Sequence, residues 1–435
     1  MSDFDSVVNL ATNRGFVFNA SSIYGGLRSS YDYGPLGTLL KKHIADSWWK
    51  SSITTRANVY PIDTAVIQST DVWRASGHIS EFSDPLIECN YCNKRYKEDA
   101  MEKVVCETED CKGKDPNFSS SKEFNLMFQT YMGPVKEEGN EVYLRPETAQ
   151  GIYINFSNIL RATRSKIPFG VANIGKSFRN EITPGQFIFR TREFEQMELQ
   201  FFCREEEEEE WFEYWVNERF NWYLSLGIKK ENLRLREHES KELAHYAKRT
   251  TDIEYLYPWG WGELEGVSNR GSFDLKAHTE SSGEELSYFD EETGSKIIPS
   301  VIEPAGGLTR TFFAVMLDSY QEEQIDDDTR VVLKLDKSLA PIHIAILPLS
   351  KKGPLIEVAE KINKSLIATY STEIDLTQSI GKRYRRQDEI GTPYCVTVDF
   401  ESLEDNMVTI RDRDTMDQER VLISELREVL ERKFN

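Results

Sequence analysis

The stretch FRNEITPGQFIFRTREFEQMELQFF, from Phe178 to Phe202, decides the fold. Thr183-Pro184-Gly185 is a turn signal: proline presets the φ of the first turn position, and glycine accepts the positive φ that closes it. The arms on either side are rich in aromatic and β-branched residues, so the spacing predicts an antiparallel hairpin. Arg179 and Glu181 lie in the first arm, and Arg190, Arg192, Glu193, Glu195 and Glu198 in the second. A hairpin that faces water alternates charged with apolar side chains. Here charges and aromatics travel together in both arms, which predicts that one face lines a site.

Other segments offer that face side chains of the same kind: Glu147 in LRPETAQG, Glu263 in WGELEG, Glu303 in VIEPAGG and Arg310 in GLTR, with Phe194 in the hairpin itself. The six histidines are scattered, and no Ser-His-Asp or Cys-His set, phosphate-binding loop or G-x-G-x-x-G is visible. What remains is arginines, carboxylates and an aromatic ring. A guanidinium fork fits phosphate oxygens, an aromatic face stacks on a base, and carboxylates hold a divalent cation or accept hydrogen bonds from an ammonium. Together they suit a nucleotide plus a small zwitterion, and phosphoryl chemistry run by positioning and charge neutralisation without a protein nucleophile. Each Arg or Glu taken singly is an ordinary surface residue; only the set carries the reading.

A chain of 435 residues has room for two or three domains. Its 39% hydrophobic and 29% charged residues are those of a globular protein. No apolar run reaches the roughly 18 residues of a membrane span, and MSDFDSVVNLATNRGF has neither the basic start nor the apolar core of a signal peptide. A cytoplasmic protein with no membrane partner is expected. The formal charge of −20 argues against bulk electrostatic binding of DNA or any other polyanion. It leaves room for local basic faces: Arg161, Arg164 and Lys166 form one cluster, and Lys382, Arg383, Arg385 and Arg386 a denser one, each a solvated surface or a contact.

Of six cysteines, Cys203 and Cys395 stand alone and read as buried small hydrophobes. The others fall as Cys89-x2-Cys92 and Cys106-x4-Cys111, a spacing that fits tetrahedral thiolate ligation of a structural Zn2+. The text around them is polar and turn-forming, so a metal would supply what packing cannot. Four reduced surface thiols are the plain alternative.

Around these motifs, Leu36, Leu39, Leu40, Ile44 and Trp48 recur at helical spacing over 36–50, and the strand-like VYPIDTAVI follows. REEEEEEWFEYWVNERFNWYLSLG reads as a helix, with glutamates where its dipole favours them, exposed to solvent, and Trp211, Trp215 and Trp222 on its apolar side. YPWGWGELEGVSNRGSFDL reads as paired strands. PSVIEPAGGLTRTFFAVMLDSY reads as a strand ending at Pro304, a Gly-Gly turn and an apolar helix. The acidic run 321–329 is placed to bridge domains. Beyond it, strands HIAILPL, TEIDLTQ, PYCVTVDF and MVTIRDRD alternate with helices IEVAEKINKSLIATY, SIGKRYRRQDEIG and QERVLISELREVLERK, which predicts a compact α/β domain with a mixed sheet.

F-R-N-E, the turn and R-x-R-E-F-E-Q-M-E resemble motif 2 of class II aminoacyl-tRNA synthetases. GGLTR and the helix after it resemble motif 3. The helix from Leu36 and the strand to Pro61 resemble motif 1, the dimer-forming element. RGFVF, SSIYGG, YDYGPLG, WRASGH, RPETAQG and REFEQMEL resemble the dimeric glycyl type, in the right order and over essentially the whole chain. The resemblance implies an α+β catalytic domain on an antiparallel sheet over 1–337, with a zinc-knuckle-like insertion at about 85–115, and an α/β anticodon-binding domain with a mixed sheet over 338–435. It implies a homodimer that activates glycine with ATP and Mg2+ to glycyl-adenylate and pyrophosphate, then transfers glycine to the 3' end of tRNA(Gly).

Residue by residue, the resemblance puts Arg179 on the ATP α-phosphate, with Asn180 and Glu181 beside the nucleotide. Phe189, Arg190, Thr191, Arg192, Glu193 and Phe194 complete the ATP site, with Phe194 stacked on adenine. Glu263 and Leu264 contact ATP, Glu263 as a magnesium ligand, and Gly307, Leu308, Thr309 and Arg310 close the far side, Arg310 on the γ-phosphate. Arg179, Glu181 and Arg310 are then the catalytic groups. Glycine lies among Glu147, Glu198 and Glu303, in a pocket shared by Phe194, Glu195, Gln196, Met197, Pro304, Ala305, Gly306 and Gly307, and the further substrate-contacting cation is Arg95 or Lys97. Two positions depart from the family: Ala305 stands for the usual Ser and Thr309 for the usual Asp, which bears on how glycine is held. A pocket can exclude a Cβ by sterics, and glycine has no smaller rival, so no editing domain is needed and none is visible. A non-catalytic protein on the same fold would have lost the ATP residues, whereas Arg179, Glu181, Glu263 and Arg310 are intact. A synthetase for another amino acid fits REFEQMEL and RPETAQG poorly.

Overall fold

The computed structural model describes residues 4–434 apart from 98–110, 112–113, 116, 135–138, 292 and 327. A seven-stranded sheet carries the site. In chain order its strands are β1 (Val59–Pro61), β2 (Phe169–Phe178), β3 (Glu193–Cys203), β4 (Leu233–Glu237), β5 (Arg249–Tyr257), β6 (Gly260–Gly271) and β7 (Ser300–Gly307). They lie side by side as β4-β5-β6-β7-β3-β2-β1, antiparallel except that β1 runs parallel to β2.

The predicted hairpin is β2 and β3, paired from Phe169↔Phe202 to Phe178↔Glu193. Its closure differs from the prediction. The strands stop at Phe178 and Glu193, and 179–192 form an open loop rather than a tight turn at Thr183-Pro184-Gly185. The loop folds down because Phe187 and Ile188 are buried, with the Phe187 ring against Tyr31 and Phe313. Amide bonds from Arg179 to the Arg192 carbonyl (2.9 Å) and from Gly185 to the Arg190 carbonyl (3.0 Å) then hold its two sides. Both faces of β3 are buried. Met197, Leu199 and Phe201 enter the apolar core, while Gln196, Glu198 and Gln200 turn the other way.

Among the described residues, α1 (Phe4–Asn13), α2 (Pro35–Trp49), α3 (Glu208–Ser225) and α4 (Leu308–Ser319) share the main apolar core with the sheet. In α2, Leu40, Ile44 and Trp48 are buried as their spacing requires, and Leu36 and Leu39 are half-buried. Phe212, Trp215, Trp222 and Tyr223 of α3 pack on the sheet. The glutamate-rich start of α3 is more than a solvated run. Glu208 accepts hydrogen bonds from Lys248, Asn269 and Ser300, and Glu209 and Glu213 both pair with Arg249, fastening the helix to β5 and β6. The strand predicted to stop at Pro304 continues to Gly307 and passes straight into α4, with no Gly-Gly turn. Gly306 allows this: a Cβ there would meet the Glu265 carboxylate at 3.0 Å and the Tyr223 hydroxyl at 3.3 Å, so the strand lies flush on its neighbours.

The acidic run 321–329 falls in a hairpin, β8 (Tyr320–Ile325) and β9 (Asp328–Leu333). Then come β10 (Ile344–Pro348), β11 (Thr372–Ile374), β12 (Tyr394–Val398), β13 (Met407–Asp412) and β14 (Gln418–Leu422), in a mixed sheet ordered β11-β10-β12-β13-β14. The last helix is shorter than predicted. Gln418–Leu422 pairs as a strand with β13, and only Leu426–Phe434 is helical. The predicted basic helix is α5 (Ile380–Ile390). Its cations are mostly engaged. Arg383 is buried and donates to the Pro348 and Asp375 carbonyls (2.6 and 2.9 Å), Arg386 pairs with Asp375 and Arg385 with Asp328, which leaves Lys382 exposed.

The two halves share a buried seam. Asp388 of α5 accepts hydrogen bonds from Arg330 of β9 (2.8 Å) and from both terminal nitrogens of Arg411 (2.8 and 3.1 Å). Ile390 joins Leu333, Leu335 and Leu339 in the main core, and the rings of His43 and His343 stack across the junction.

Candidate active site

On its open face, the sheet holds a cleft of ≈ 270 Å³ between the 179–192 loop, β3, β6 and β7. A bulge makes part of it. Ile253 lies opposite Glu265 and Glu254 opposite Glu263, so Leu264 is an extra residue on β6. The bulge lets Glu263, Gly266 and Ser268 line the cleft, while Glu265 turns behind the sheet to a buried ion pair with Arg219 (2.8 Å).

One end is built from arginines. The Arg310 Nη1 donates to the Glu263 carboxylate (3.0 Å) and carbonyl (3.1 Å), and its guanidinium lies 4.6 Å from the centre of the Phe189 ring. Arg179 donates from Nε to the Pro146 carbonyl (3.0 Å), and its guanidinium lies between the Phe82 and Phe194 rings, 5.4 and 5.3 Å from their centres. Burial opposes the charge on Glu263, but Arg310 above all holds its carboxyl below the usual range. α4 starts at this end, so its first amides and the positive end of its dipole add to the field of the two arginines. The end suits a polyphosphate.

The other end is a set of buried carboxylates. Glu147 accepts from the Gln150 amide (2.9 Å) and lies 3.4 Å from His78 Nε2. Glu198 accepts from the Thr148 hydroxyl (2.6 Å). Glu303 accepts from Gln200 (2.7 Å) and from Arg270 (2.8 Å), but Arg270 is also held by both oxygens of Asp274. One shared cation cannot neutralise them all. Burial pushes the Glu198 carboxyl up, and the Glu303 and Glu147 charges push it further, to about 8. Burial likewise raises Glu303, against the pull of Arg270. Glu147 goes the other way: burial opposes its charge, but His78, Arg270 and Gln150 hold it well below the ordinary range. Such an excess of buried negative charge suits a small ammonium.

The cleft gathers most of the residues predicted for it: Arg179, Glu181, Phe189, Arg190, Thr191, Phe194, Glu263, Leu264, Gly307, Thr309 and Arg310 at the first end, and Glu147, Gln196, Glu198, Glu303, Ala305 and Gly306 at the second. Others stand outside its lining. Met197 and Leu308 are in the core, and Pro304 is buried in β7 opposite Val267. Glu195 lies behind the sheet, paired with Lys41 (2.5 Å), and its amide donates to the Thr309 hydroxyl. Glu193 pairs with Lys176, and Arg192 donates to the Glu181 carbonyl. The Asn180 amide donates to the Leu126 carbonyl. Arg95 is on the insertion with Glu88, on the same short strand as Lys97. His238, Tyr246, Thr250, Asp252 and Ser268 also line the cleft, and sequence reasoning missed them along with the supporting Arg270 and Asp274. The Asp252 carboxyl is raised to about 6 by burial and the Glu263 charge.

In the insertion, the Cys89, Cys92 and Cys111 sulfurs lie within 4.8 Å of one another, and Cys106 lies outside the described residues. Burial works against a thiolate at Cys89, but the Tyr91 and Cys92 amides and the neighbouring thiols bring its pKa below the ordinary value. A compact, thiolate-prone set of this kind fits Zn2+.

A family model described as Anticodon binding domain matches residues 343–433. A glycine--tRNA ligase of Acetivibrio thermocellus is 52% identical to this chain, over 99% of it and 98% of that protein. One of Corynebacterium glutamicum is 50% identical over 99% and 98%, and one of Bifidobacterium longum 50% identical over 98% and 91%. With half of all positions shared along nearly the full length of such relatives, on a fold whose cleft has arginines at one end and buried carboxylates at the other, the chain belongs to the glycine--tRNA ligase family.

Proposed function

We propose that the chain joins glycine to tRNA(Gly) in two steps at this cleft: glycine and ATP give glycyl-adenylate and pyrophosphate, and the glycyl group then passes to a hydroxyl at the tRNA 3' end as AMP leaves. The observation that carries the reading is the juxtaposition, in one cleft, of three buried carboxylates with a pair of guanidiniums. Glu147, Glu198 and Glu303 hold the glycine ammonium and aim its carboxylate toward Arg179. A carboxylate oxygen attacks the α-phosphorus, and pyrophosphate leaves. Arg179, fixed between two rings, balances the charge that gathers on the α-phosphate oxygens, and Arg310 holds the γ-phosphate. Glu263, partly freed when Arg310 turns to phosphate, is the group that would hold Mg2+, which neutralises phosphate charge when bound. Phe194 offers a face to adenine, and Glu181 borders the nucleotide.

Around this centre we place a homodimer formed through the α2 region, a structural Zn2+ on the four insertion cysteines, and anticodon recognition over 343–433. Arg95 or Lys97 is the further cation near the substrate. Lys382 is the cation of α5 left free for RNA phosphates. Among the described residues no helix is long and apolar enough to cross a membrane. The cytoplasm is the compartment proposed for the enzyme. The test is ATP–pyrophosphate exchange with each amino acid in turn. Glycine alone is expected to support it; exchange with another amino acid, or with none, overturns the reading.

A further inference from the structure

The insertion is joined to the catalytic body through a narrow neck. It enters at Ser83 and leaves at Asn125, which face each other across two antiparallel strands, Ser83–Glu88 and Lys122–Asn125. Just before the neck, the short helix His78–Glu81 and Phe82 lie against the cleft. His78 is 5% exposed and uses both ring nitrogens: Nδ1 is 2.8 Å from the Ser76 hydroxyl and Nε2 3.4 Å from the Glu147 carboxylate. A carboxylate only accepts, so Nε2 carries a proton toward Glu147. Phe82 places its ring under the Arg179 guanidinium.

The exit strand grips the same helix. The Asn125 side chain donates to the His78 and Ile79 carbonyls (3.2 and 3.0 Å), and the Leu126 amide donates to the Phe82 carbonyl (3.1 Å). The Leu126 carbonyl in turn accepts from the Asn180 amide (2.7 Å), next to Arg179. The neck thus touches the carboxylate end of the cleft through His78, and the arginine end through Phe82 and Leu126. Asn125 holds these contacts together without itself lining the cleft.

We propose that this neck is a positioning element: it couples the seating of the cysteine-bearing insertion to both ends of the active site, so that a shift of the insertion changes glycine and ATP binding together. His78 sets the Glu147 carboxylate for the ammonium, and Phe82 sets the plane of Arg179 for phosphate. The proposal rests on the reaction given above for this cleft.

The test measures KM for glycine and for ATP separately, by pyrophosphate exchange with the full-length enzyme, alongside active-site titration and melting temperature. A hydrogen bond to a charged group is lost in His78→Leu, so glycine KM is expected to rise about tenfold or more while ATP KM stays within about twofold. His78→Gln restores an N–H for Glu147 and recovers most of that loss. Phe82→Leu shows the opposite split. Asn125→Ala raises both KM values together, with Asn125→Ser as the milder variant if Asn125→Ala does not fold. Unchanged KM values in a folded, fully titrating Asn125 variant overturn the coupling. A fall in titratable sites with constant KM across all variants overturns it too, because it assigns the neck a packing role alone. Wild-type enzyme without glycine-dependent exchange would instead overturn the reaction itself.

Discussion

Glu198 is the one carboxylate of the three that has no ion pair among the described residues; its direct partner is the Thr148 hydroxyl. Ala305, opposite it on β7, adds no hydroxyl where relatives of the family are expected to have a serine. Burial and the charges of Glu303 and Glu147 raise its carboxyl to about 8. A folded chain that keeps this proton to higher pH than the unfolded chain takes up a proton on folding. Its stability therefore falls as pH rises from the ordinary glutamate range to about 8, and levels off above. Glu198→Gln removes that penalty. Its melting temperature is expected to exceed the wild type's near pH 8 and to match it near pH 4, while glycine KM rises at least about tenfold. An unchanged difference in melting temperature across that range would count against the protonated Glu198. Arg179→Ala tests the other end. Loss of a fixed guanidinium on a phosphorus centre gaining charge costs roughly 3 kcal/mol of transition-state stabilisation, so exchange at saturating ATP should fall more than about a hundredfold.

At the scale of elements, periodicity made α2 and α3 legible, because each buries one repeating face; YPWGWGELEGVSNRGSFDL, read as paired strands, instead holds the end of β5, all of β6 and the start of a helix at Phe273, since burial on both faces leaves the strand no alternation to read. The misread elements had local signals that tertiary contacts overrode. Gly306-Gly307 reads as a turn until the strand beneath it needs room against Glu265. Gln418–Leu422 is made of good helix formers, yet pairing with β13 makes it a strand. Thr183-Pro184-Gly185 does bend the chain, but burial of Phe187 and Ile188 draws the bend into a long loop. The reactive carboxylates and arginines were legible because they lie in long motifs. Tyr246 and His238 were not, since 238–248 has no period to read. The insertion is the element least able to hold itself together: few of its described apolar side chains are buried. Purified enzyme is therefore expected to hold one zinc per chain by elemental analysis, and a strong chelator to expose the insertion to protease with little change in the melting of the body. Metal-free protein with a protease-resistant insertion would leave the cysteines as plain thiols.

The seam at Asp388 ties the two halves together through buried hydrogen bonds and shared core side chains. An end near Lys337 would strand Arg330 without Asp388 and uncover Leu333 and Leu335, so severing the chain there tests stability as much as RNA recognition. Asp388→Ala leaves Arg330 and Arg411 buried without their shared partner. A broken buried pair costs about 3–5 kcal/mol, and calorimetry of the variant is expected to show a lower melting temperature, with the 343–433 unit melting first. A variant that melts as the wild type does, in a single transition, would show that the seam contributes nothing to the joint.

α4, described above as the helix into which β7 runs without a turn, has consequences for how the cleft moves. Nearly every residue of it is buried, from Leu308 to Ser319, and it is continuous with the central strand of the sheet. Its amides should exchange hydrogen only when the whole chain opens, whereas those of 181–186, in the loop across the cleft, should exchange by local opening. Adding glycine and ATP is then expected to slow exchange in that loop and leave α4 unchanged, which hydrogen–deuterium mass spectrometry can read. On the proposed reaction the enzyme would work like a vice with one fixed jaw: α4 would carry the phosphate-binding Arg310, and the loop opposite would do the closing.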